Sequence, residues 1–596
     1  MVASVRDRGG EGSKSFRARL STACALVLAI AITSAQTGEP TPAQIAWLKA
    51  NAIEVKTVDP GTGFADLQKL KAAMGGAQIV SLGEATHGTR EIFQMKHRLT
   101  EFLASELGFT IFSIEANMPE AYRLNDYVLQ GKGDPKALLK GMYFWTWNTE
   151  EVLAMIEWMR AFNASGRGRI EFTGFDMQTA RVAVQGVQDF LQKVDADYAA
   201  KVRAIYRDAD NLQPAQGTGG FGVATATFPA ALAAGRKIKF SGAIRTADVD
   251  AFAGLWWRAD GPKGTLAFDN MQARGPRGTT EWMRHEIVLD IPRDTVNINF
   301  GALMPGTGAA WFDDLQVEID GAPFDATALF DFDFESGQPK GFFLPTTGYA
   351  VAVVDGVASR GKRSLRIQSQ APGTDSKPAV NSAEVSRRFG EVVANMEQAR
   401  ARYLERSDAQ AVQWAIQNAR VVHQYAQMIA GEVSRDESMA RNVKWIVDTA
   451  PKGTRVVLWA HNGHVGRIEA PYRAMGSYLD DWYGKDHVVV GFAVNRGEYT
   501  AIERGTGLGR HSLSPATAGS YEYAFARTSL PRFILDLRAA RTGTPASGWL
   551  TAPMQFRSIG AMAMERQFLP ANLTRAFDLI VFLDETTPTR GLWPPR

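Results

Sequence analysis

The chain has 596 residues, 45% hydrophobic and 22% charged, the proportions of a soluble globular protein too long for one ordinary core. Its formal charge of +3 belongs to residues 1–35, which hold five basic and two acidic side chains; the remainder carries 61 of each sign. That neutral remainder gives no electrostatic case for a nucleic acid or an anionic membrane surface as partner.

Residues 1–35 read as a signal peptide. Arg6, Arg8, Lys14, Arg17 and Arg19 precede the apolar run Ala23–Ile32, and Thr33-Ser34-Ala35 supplies small residues suited to signal peptidase. Ten apolar residues are too few to span a bilayer. The single cysteine, Cys24, lies inside this segment, ahead of most of the apolar run and out of place for a lipoprotein. The expected mature protein has no disulfide and no thiol nucleophile, which fits a secreted or periplasmic bacterial protein with no membrane contact after cleavage.

Residues 42–212 alternate strand and helix. Ala77–Leu82 reads as a strand, Thr89–Leu107 as an amphipathic helix stopped by Gly108, and Phe109–Ile114 as a second strand ending at Glu115. Helices are expected around Glu120–Gln130 and Glu150–Ala164, then a third strand at Ile170–Phe175 ending at Asp176. This alternation predicts βαβ units and a mostly parallel sheet.

The texture changes over 213–378, where helical periodicity gives way to short alternating runs such as Lys237–Gly242, Glu286–Asp290 and Val296–Phe300. These predict an antiparallel β-sandwich inserted into the α/β domain. Residues 379–596 return to long helices to about 448, then strands at Arg455–Trp459, Val488–Val494, Phe533–Leu537 and Leu579–Leu583. The predicted fold is therefore α/β, a mostly parallel sheet with surrounding helices and a helical subdomain, interrupted by the sandwich.

The insert resembles the jelly-roll modules of carbohydrate-binding type. The resemblance rests on Phe334-Glu335-Ser336-Gly337, Gly361–Ile367 and Trp311-Phe312-Asp313-Asp314-Leu315. In such modules a stretch like 329–371 usually precedes one like 221–319. The reversed order here implies a circularly permuted module, the alternative being two partial β units side by side. Trp256, Trp257, Trp282 and Trp311 are candidates for stacking on sugar rings, with core packing the competing role.

Chemistry concentrates just past the strand ends, where open α/β sheets build their functional crevice. Gly83-Glu84-Ala85-Thr86-His87-Gly88 follows the first strand, and His461-Asn462-Gly463-His464 follows the strand ending at Trp459. A histidine at such a turn can act as general base near neutral pH, and an adjacent carboxylate can fix its tautomer. The helix after the first turn offers its N-terminal dipole to Glu84. With Glu115 and Asp176, four strand ends present Glu/His, Glu, Asp and His/His. No G-x-S-x-G elbow follows a strand and no G-x-x-x-x-G-K-[ST] loop is present, which disfavours a serine hydrolase and a nucleotide site. Two readings stay open: His87 deprotonates a water that attacks an acyl carbon, with His461 or His464 serving the oxyanion or leaving alkoxide, or the cluster binds a divalent metal that activates the water.

At these residues the sequence resembles the erythromycin esterase family. The matching motifs are Gly83–Gly88 with Glu91, Phe112–Glu115, Gly174-Phe175-Asp176, Arg435–Ala440 and Trp459–His464, with weaker agreement at Arg557–Gly560 and Phe577–Pro588. The resemblance implies an α/β core with a helical part over a cleft. It also implies ester hydrolysis by base-activated water without an acyl-enzyme; no cofactor is expected, a divalent metal being the alternative. His87 would be the base and Glu84 its partner, with Glu115, His461 and His464 lining the site. Arg98, Asp176, Glu91, Arg435 and Asn462 are the expected substrate-binding residues, Lys96 competing with Arg98. The expected partner is a small-molecule ester, a macrolactone among the candidates. A carbohydrate is expected at the sandwich. The competing class is a carbohydrate- or envelope-binding protein with an inactive core.

Overall fold

A computed structural model describes residues 38–207, 221–261, 264–337, 339–344, 349–369, 382–469, 472–503, 507–541, 543–564 and 566–592. The expected signal peptide and Cys24 lie outside the described residues. No helix among those described is long and apolar enough to cross a membrane.

The first segment contributes strands β1 (Ala52–Glu54), β2 (Ile79–Leu82), β3 (Ile111–Asn117) and β4 (Glu171–Asp176). Between them run helices α1 (Arg90–Leu107), α2 (Met118–Gln130) and α3 (Glu150–Ala164), and α4 (Arg181–Val194) and α5 (Ala196–Tyr206) follow. The helix α1 ends at Gly108, whose φ of 70° is the left-handed conformation that a glycine adopts without penalty.

The insert holds β5 (Phe221–Phe228), β6 (Lys237–Val249), β7 (Gly254–Gly261), β8 (Gly264–Asp269), β9 (Gly278–Asp290), β10 (Asn297–Pro305), β11 (Ala309–Ile319), β12 (Tyr349–Asp355) and β13 (Arg363–Ser369). They form two antiparallel sheets, one ordered β5-β10-β7-β8 with Phe342–Phe343 beside β5, the other β12-β13-β11-β6-β9. The β13 strand pairs with β11, Leu365 opposite Phe312 and Gln368 opposite Ala309. Strands from both stretches of the insert thus share one sheet. Trp257 is fully buried against Phe228, Phe240 and Phe300, whereas Trp256, Trp282 and Trp311 keep partial exposure.

The return segment supplies helices α6 (Ser382–Gln398), α7 (Ala409–Ile429) and α8 (Arg435–Thr449), then strands β14 (Val456–Trp459), β15 (His487–Glu503), β16 (Gly507–Leu513), β17 (Arg532–Asp536) and β18 (Leu579–Thr586). The main sheet runs β1-β17-β18-β15-β2-β14-β3-β4, with β16 paired to β15. From β18 to β4 every neighbour along this path is parallel; β1, β17 and β16 join antiparallel.

The central strands are continuous apolar runs because helices cover both faces. In β14, Val456 and Leu458 enter the core shared with α4 to α8, while Val457 and Trp459 enter the core shared with α1 to α3. The decisive placement is that β14, from the second segment, lies between β2 and β3 of the first. Two turns separated by the whole insert become neighbours.

Candidate active site

The C-terminal ends of four adjacent strands carry Glu84 (after β2), His461 (after β14), Glu115 (in β3) and Asp176 (closing β4). Close approach fixes the turn after β2. A Cβ on Gly83 would lie 2.1 Å from Asn462 Oδ1, and one on Gly88 would lie 1.9 Å from the Thr500 carbonyl oxygen.

Glu84 is fully buried and saturated. Its Oε1 is 2.6 Å from His87 Nδ1, and its Oε2 accepts from Lys96 Nζ at 2.7 Å and from Trp459 Nε1 at 2.8 Å. Burial pushes the carboxyl up, but the Lys96 ammonium and the His87 hydrogen bond outweigh it and hold it below the ordinary carboxylate value. The charge that steadies Glu84 thus comes from Lys96 rather than from the α1 dipole alone. Lys96, also fully buried, lies 4.2 Å above the Trp459 ring. Burial draws its ammonium down to about 8 against the pull of Glu84. Because a carboxylate only accepts, His87 Nδ1 must donate, which leaves Nε2 as the basic nitrogen. Among the described residues Nε2 has no protein partner. Trp147 holds the ring edge-on at 6.0 Å, and its indole N–H donates to the Glu115 carbonyl at 3.0 Å.

The second turn divides its two histidines. His461 caps the one-turn helix Asn462–Val465, its Nδ1 accepting from the Gly463 amide at 3.0 Å, while Nε2 donates to the Ile559 carbonyl at 3.1 Å. Both ring nitrogens are used, and burial, then His87 and His464, push the ring down to about 3. His461 is a neutral wall of the site, its ring centroid 5.1 Å from that of His87. From sequence, His461 or His464 is expected to serve the oxyanion or the leaving alkoxide; here the Nε2 proton of His461 is held by the Ile559 carbonyl and its Nδ1 by the Gly463 amide. The segment it binds crosses over the first turn, with the Ile559 amide donating to Ala85 at 2.8 Å, and is anchored by the buried Arg557 on the carbonyls of Val494 and Asn495.

His464 is placed for chemistry. Its Nδ1 is 2.9 Å from Asp436 Oδ1 and its Nε2 is 3.4 Å from Glu115 Oε1. Burial opposes the imidazolium, yet Glu115 and Asp436 outweigh it and raise the ring above its ordinary value. Arg435 Nη1 also lies 3.2 Å from Nε2; two carboxylates around the ring make the imidazolium the favoured partner, with that guanidinium neutralised elsewhere. Arg435 bridges Glu115 (2.8 Å) and Asp176 (2.7 and 3.0 Å). Burial disfavours its charge, but Asp176 and Glu115 more than compensate. Glu115 also accepts from the His461 amide at 2.9 Å. Burial would raise its carboxyl, and His464 and Arg435 instead hold it far below the carboxylate range.

The structure brings His87, Glu84, Glu115, His461, His464, Asp176, Arg435 and Asn462 together. Asn462 acts on the backbone, exchanging both hydrogen bonds with Phe492 at 2.8 and 3.1 Å. Two expected substrate-binding residues lie elsewhere. Arg98 is buried and clamps the 57–66 loop through Asp66 (2.6 and 3.1 Å), Gly63 and Thr57; Glu91 binds Thr587 at 2.6 and 2.7 Å. Sequence reasoning missed the role of Lys96 as the Glu84 counter-ion, and missed Asp436 as the His464 partner although it stands in the Arg435–Ala440 motif. Tyr472, whose hydroxyl reaches the Gly463 carbonyl at 3.3 Å, gave no signal. Among the described residues no three His, Cys, Asp or Glu side chains converge as a metal-ligand set, since the Arg435 guanidinium lies between the carboxylates that would supply one.

The family model described as Erythromycin esterase matches residues 104–239 and 356–586. The chain belongs to the erythromycin esterase family. The matched stretches contain Glu115, Asp176, Arg435, His461 and His464, while the Glu84–His87 turn precedes them. Two curated relatives are similar over shorter stretches. "Erythromycin esterase type II" of Escherichia coli is 30% identical over 134 residues, covering 22% of this chain and 31% of that protein. "Putative hydrolase YbfO" of Bacillus subtilis (strain 168) is 34% identical over 148 residues, covering 25% and 32%. The aligned stretches therefore span about a third of each relative's length. Among solved structures, a Bacillus cereus protein aligns with TM-score 0.59 at 20% identity over 93% of this chain and 100% of that one. A succinoglycan biosynthesis protein aligns at 0.56 and 19% over 92% and 97%. These two are likenesses of fold.

Proposed function

We propose that this chain is an exported hydrolase of a carboxylic ester, a macrolactone among the candidates, whose attacking water is deprotonated by His87. The observation that carries the reading is the Lys96–Glu84–His87 chain, with contacts of 2.7 and 2.6 Å. It fixes the Nδ1–H tautomer and leaves Nε2 as the base; the buried carboxylate then stabilises the imidazolium that forms. Water oxygen bonds to the acyl carbon, its proton goes to His87 Nε2, and the carbonyl electrons move onto oxygen. On collapse the C–O bond to the alcohol breaks, and the leaving alkoxide takes a proton from the imidazolium of His464 or His87. The Asp436–His464–Glu115 arrangement supports His464 as the acid.

The metal-dependent reading is less well supported, because Arg435 already neutralises Glu115 and Asp176 and both nitrogens of His461 are engaged. For the sandwich, a carbohydrate-binding role would use the partly exposed Trp282 and Trp311, the latter under the Arg245 guanidinium at 5.7 Å.

The test is hydrolysis of a panel of acyl esters and a macrolactone, before and after dialysis against EDTA. Turnover of at least one ester, unchanged by EDTA, is expected. Inactivity on every ester would remove the esterase reading, and loss on dialysis with recovery in Zn²⁺ or Mn²⁺ would replace the His87 mechanism with a metal one.

A further inference from the structure

The histidine site occupies the C-terminal ends of the parallel strands. A separate cavity of about 540 Å³ lies at their N-terminal ends, bounded by Thr110 and Ile111 at the start of β3, Glu171 at the start of β4, and helices α7 and α8. Its wall carries three aromatic side chains from three helices: Tyr122 of α2, Trp414 of α7 and Trp445 of α8. The Tyr122 and Trp414 rings are 4.1 Å apart at 31°, and Trp414 and Trp445 are 5.9 Å apart at 45°. All three are only half-buried.

Around this aromatic wall the polar groups are almost all neutral. Gln410 donates to the Tyr122 hydroxyl at 3.0 Å, and Gln413 and Thr449 also line the cavity. The two charged lining residues, Arg169 and Glu171, neutralise each other at 3.0 Å. Among the described residues neither the Trp414 nor the Trp445 indole N–H has a hydrogen-bond partner, and neither is sealed from solvent.

We propose that this cavity is a second binding site, for a neutral saccharide. A pyranose presents an apolar C–H face that packs on an aromatic ring, whose negative π face attracts polarised hydrogens. Its hydroxyls both donate and accept, which matches glutamine amides, threonine hydroxyls and free indole N–H groups better than an anion or a hydrocarbon would. A concave, mainly apolar surface with a few convergent polar groups is the ordinary make-up of a small-ligand site. The site is independent of the histidine cluster and of the proposed ester hydrolysis.

The test is calorimetric titration of the full chain with cellotetraose, xylotetraose and maltotetraose, with tryptophan fluorescence followed in parallel. Binding of at least one, with a fluorescence change, is expected. Trp414→Ala and Trp445→Ala should weaken it about tenfold or more, the size of a lost aromatic stacking contact. Gln413→Ala, which removes no ring from the fold, should weaken it without altering the circular dichroism spectrum. Trp311→Ala removes any binding by the sandwich and should leave in place the binding component that Trp414→Ala weakens. The proposal is overturned if no tetrasaccharide binds, if Trp414→Ala and Gln413→Ala bind like the parent chain, or if Trp311→Ala alone abolishes binding.

Discussion

Lys96 Nζ lies 2.7 Å from Glu84 Oε2, both side chains entirely removed from solvent. This contact joins the middle of α1 to the turn after β2 and keeps the carboxylate behind His87 ionised. Removing one partner of a buried pair leaves an uncompensated charge, which costs roughly 3–5 kcal/mol. We expect Lys96→Met to lose stability on that scale in chemical denaturation and to depress kcat. The double variant Lys96→Met/Glu84→Gln should recover stability without recovering activity. Equal stability of Lys96→Met and the parent chain would contradict the pairing.

The same ammonium sets a pH dependence with opposite signs for rate and stability. Its value in the fold is about 8 against an ordinary 10.5. Between those values the unfolded chain binds more protons than the folded one, so the Lys96 contribution to stability rises with pH. Activity goes the other way, because deprotonation removes the cation beside Glu84. We expect kcat to fall as pH rises through about 8, and Lys96→Met to give a low rate that lacks this fall and keeps only the alkaline limit set by His464. The checks are a pH–rate profile and denaturation at matched pH values.

His464 depends on Asp436, which also accepts from the Met475 amide at 2.9 Å. Its raised value means that its stabilising contribution is full below the unfolded histidine value of ~6.5 and is lost as pH rises through the folded one. Asp436→Asn should lower the His464 titration point in NMR and move the alkaline limit of kcat downwards. An unmoved His464 titration would show that Glu115 alone sets it.

Arg98 provides a negative control. Its guanidinium clamps Asp66 and two loop carbonyls, so Arg98→Met should destabilise by roughly 3–5 kcal/mol while leaving the KM of the surviving folded enzyme within twofold or so. A raised KM at unchanged stability would restore Arg98 to substrate binding.

The strand ends were legible because continuous apolar runs such as Val456–Trp459 are needed where both faces of a parallel sheet are covered. Polar residues straight after them are conspicuous. The union of the two histidine turns was legible only as an inference from shared position, since nothing local says that β14 enters between β2 and β3. Individual roles were less legible. His461 and His464 stand in one motif, yet one caps a helical turn with both nitrogens and the other meets two carboxylates, a difference set by Ile559 and Asp436 from distant segments. Arg98 and Lys96 share one helix, and residue type did not reveal that one faces the 57–66 loop and the other Glu84.

The central claim is that His87 Nε2 removes the proton from the attacking water. The most direct measurement is kcat/KM for the best ester of the panel with purified parent chain and His87→Ala, each checked for folding by circular dichroism. Loss of the general base should lower the rate by about 10²–10⁴-fold with an unchanged spectrum. Equal rates for the two folded proteins would contradict the account.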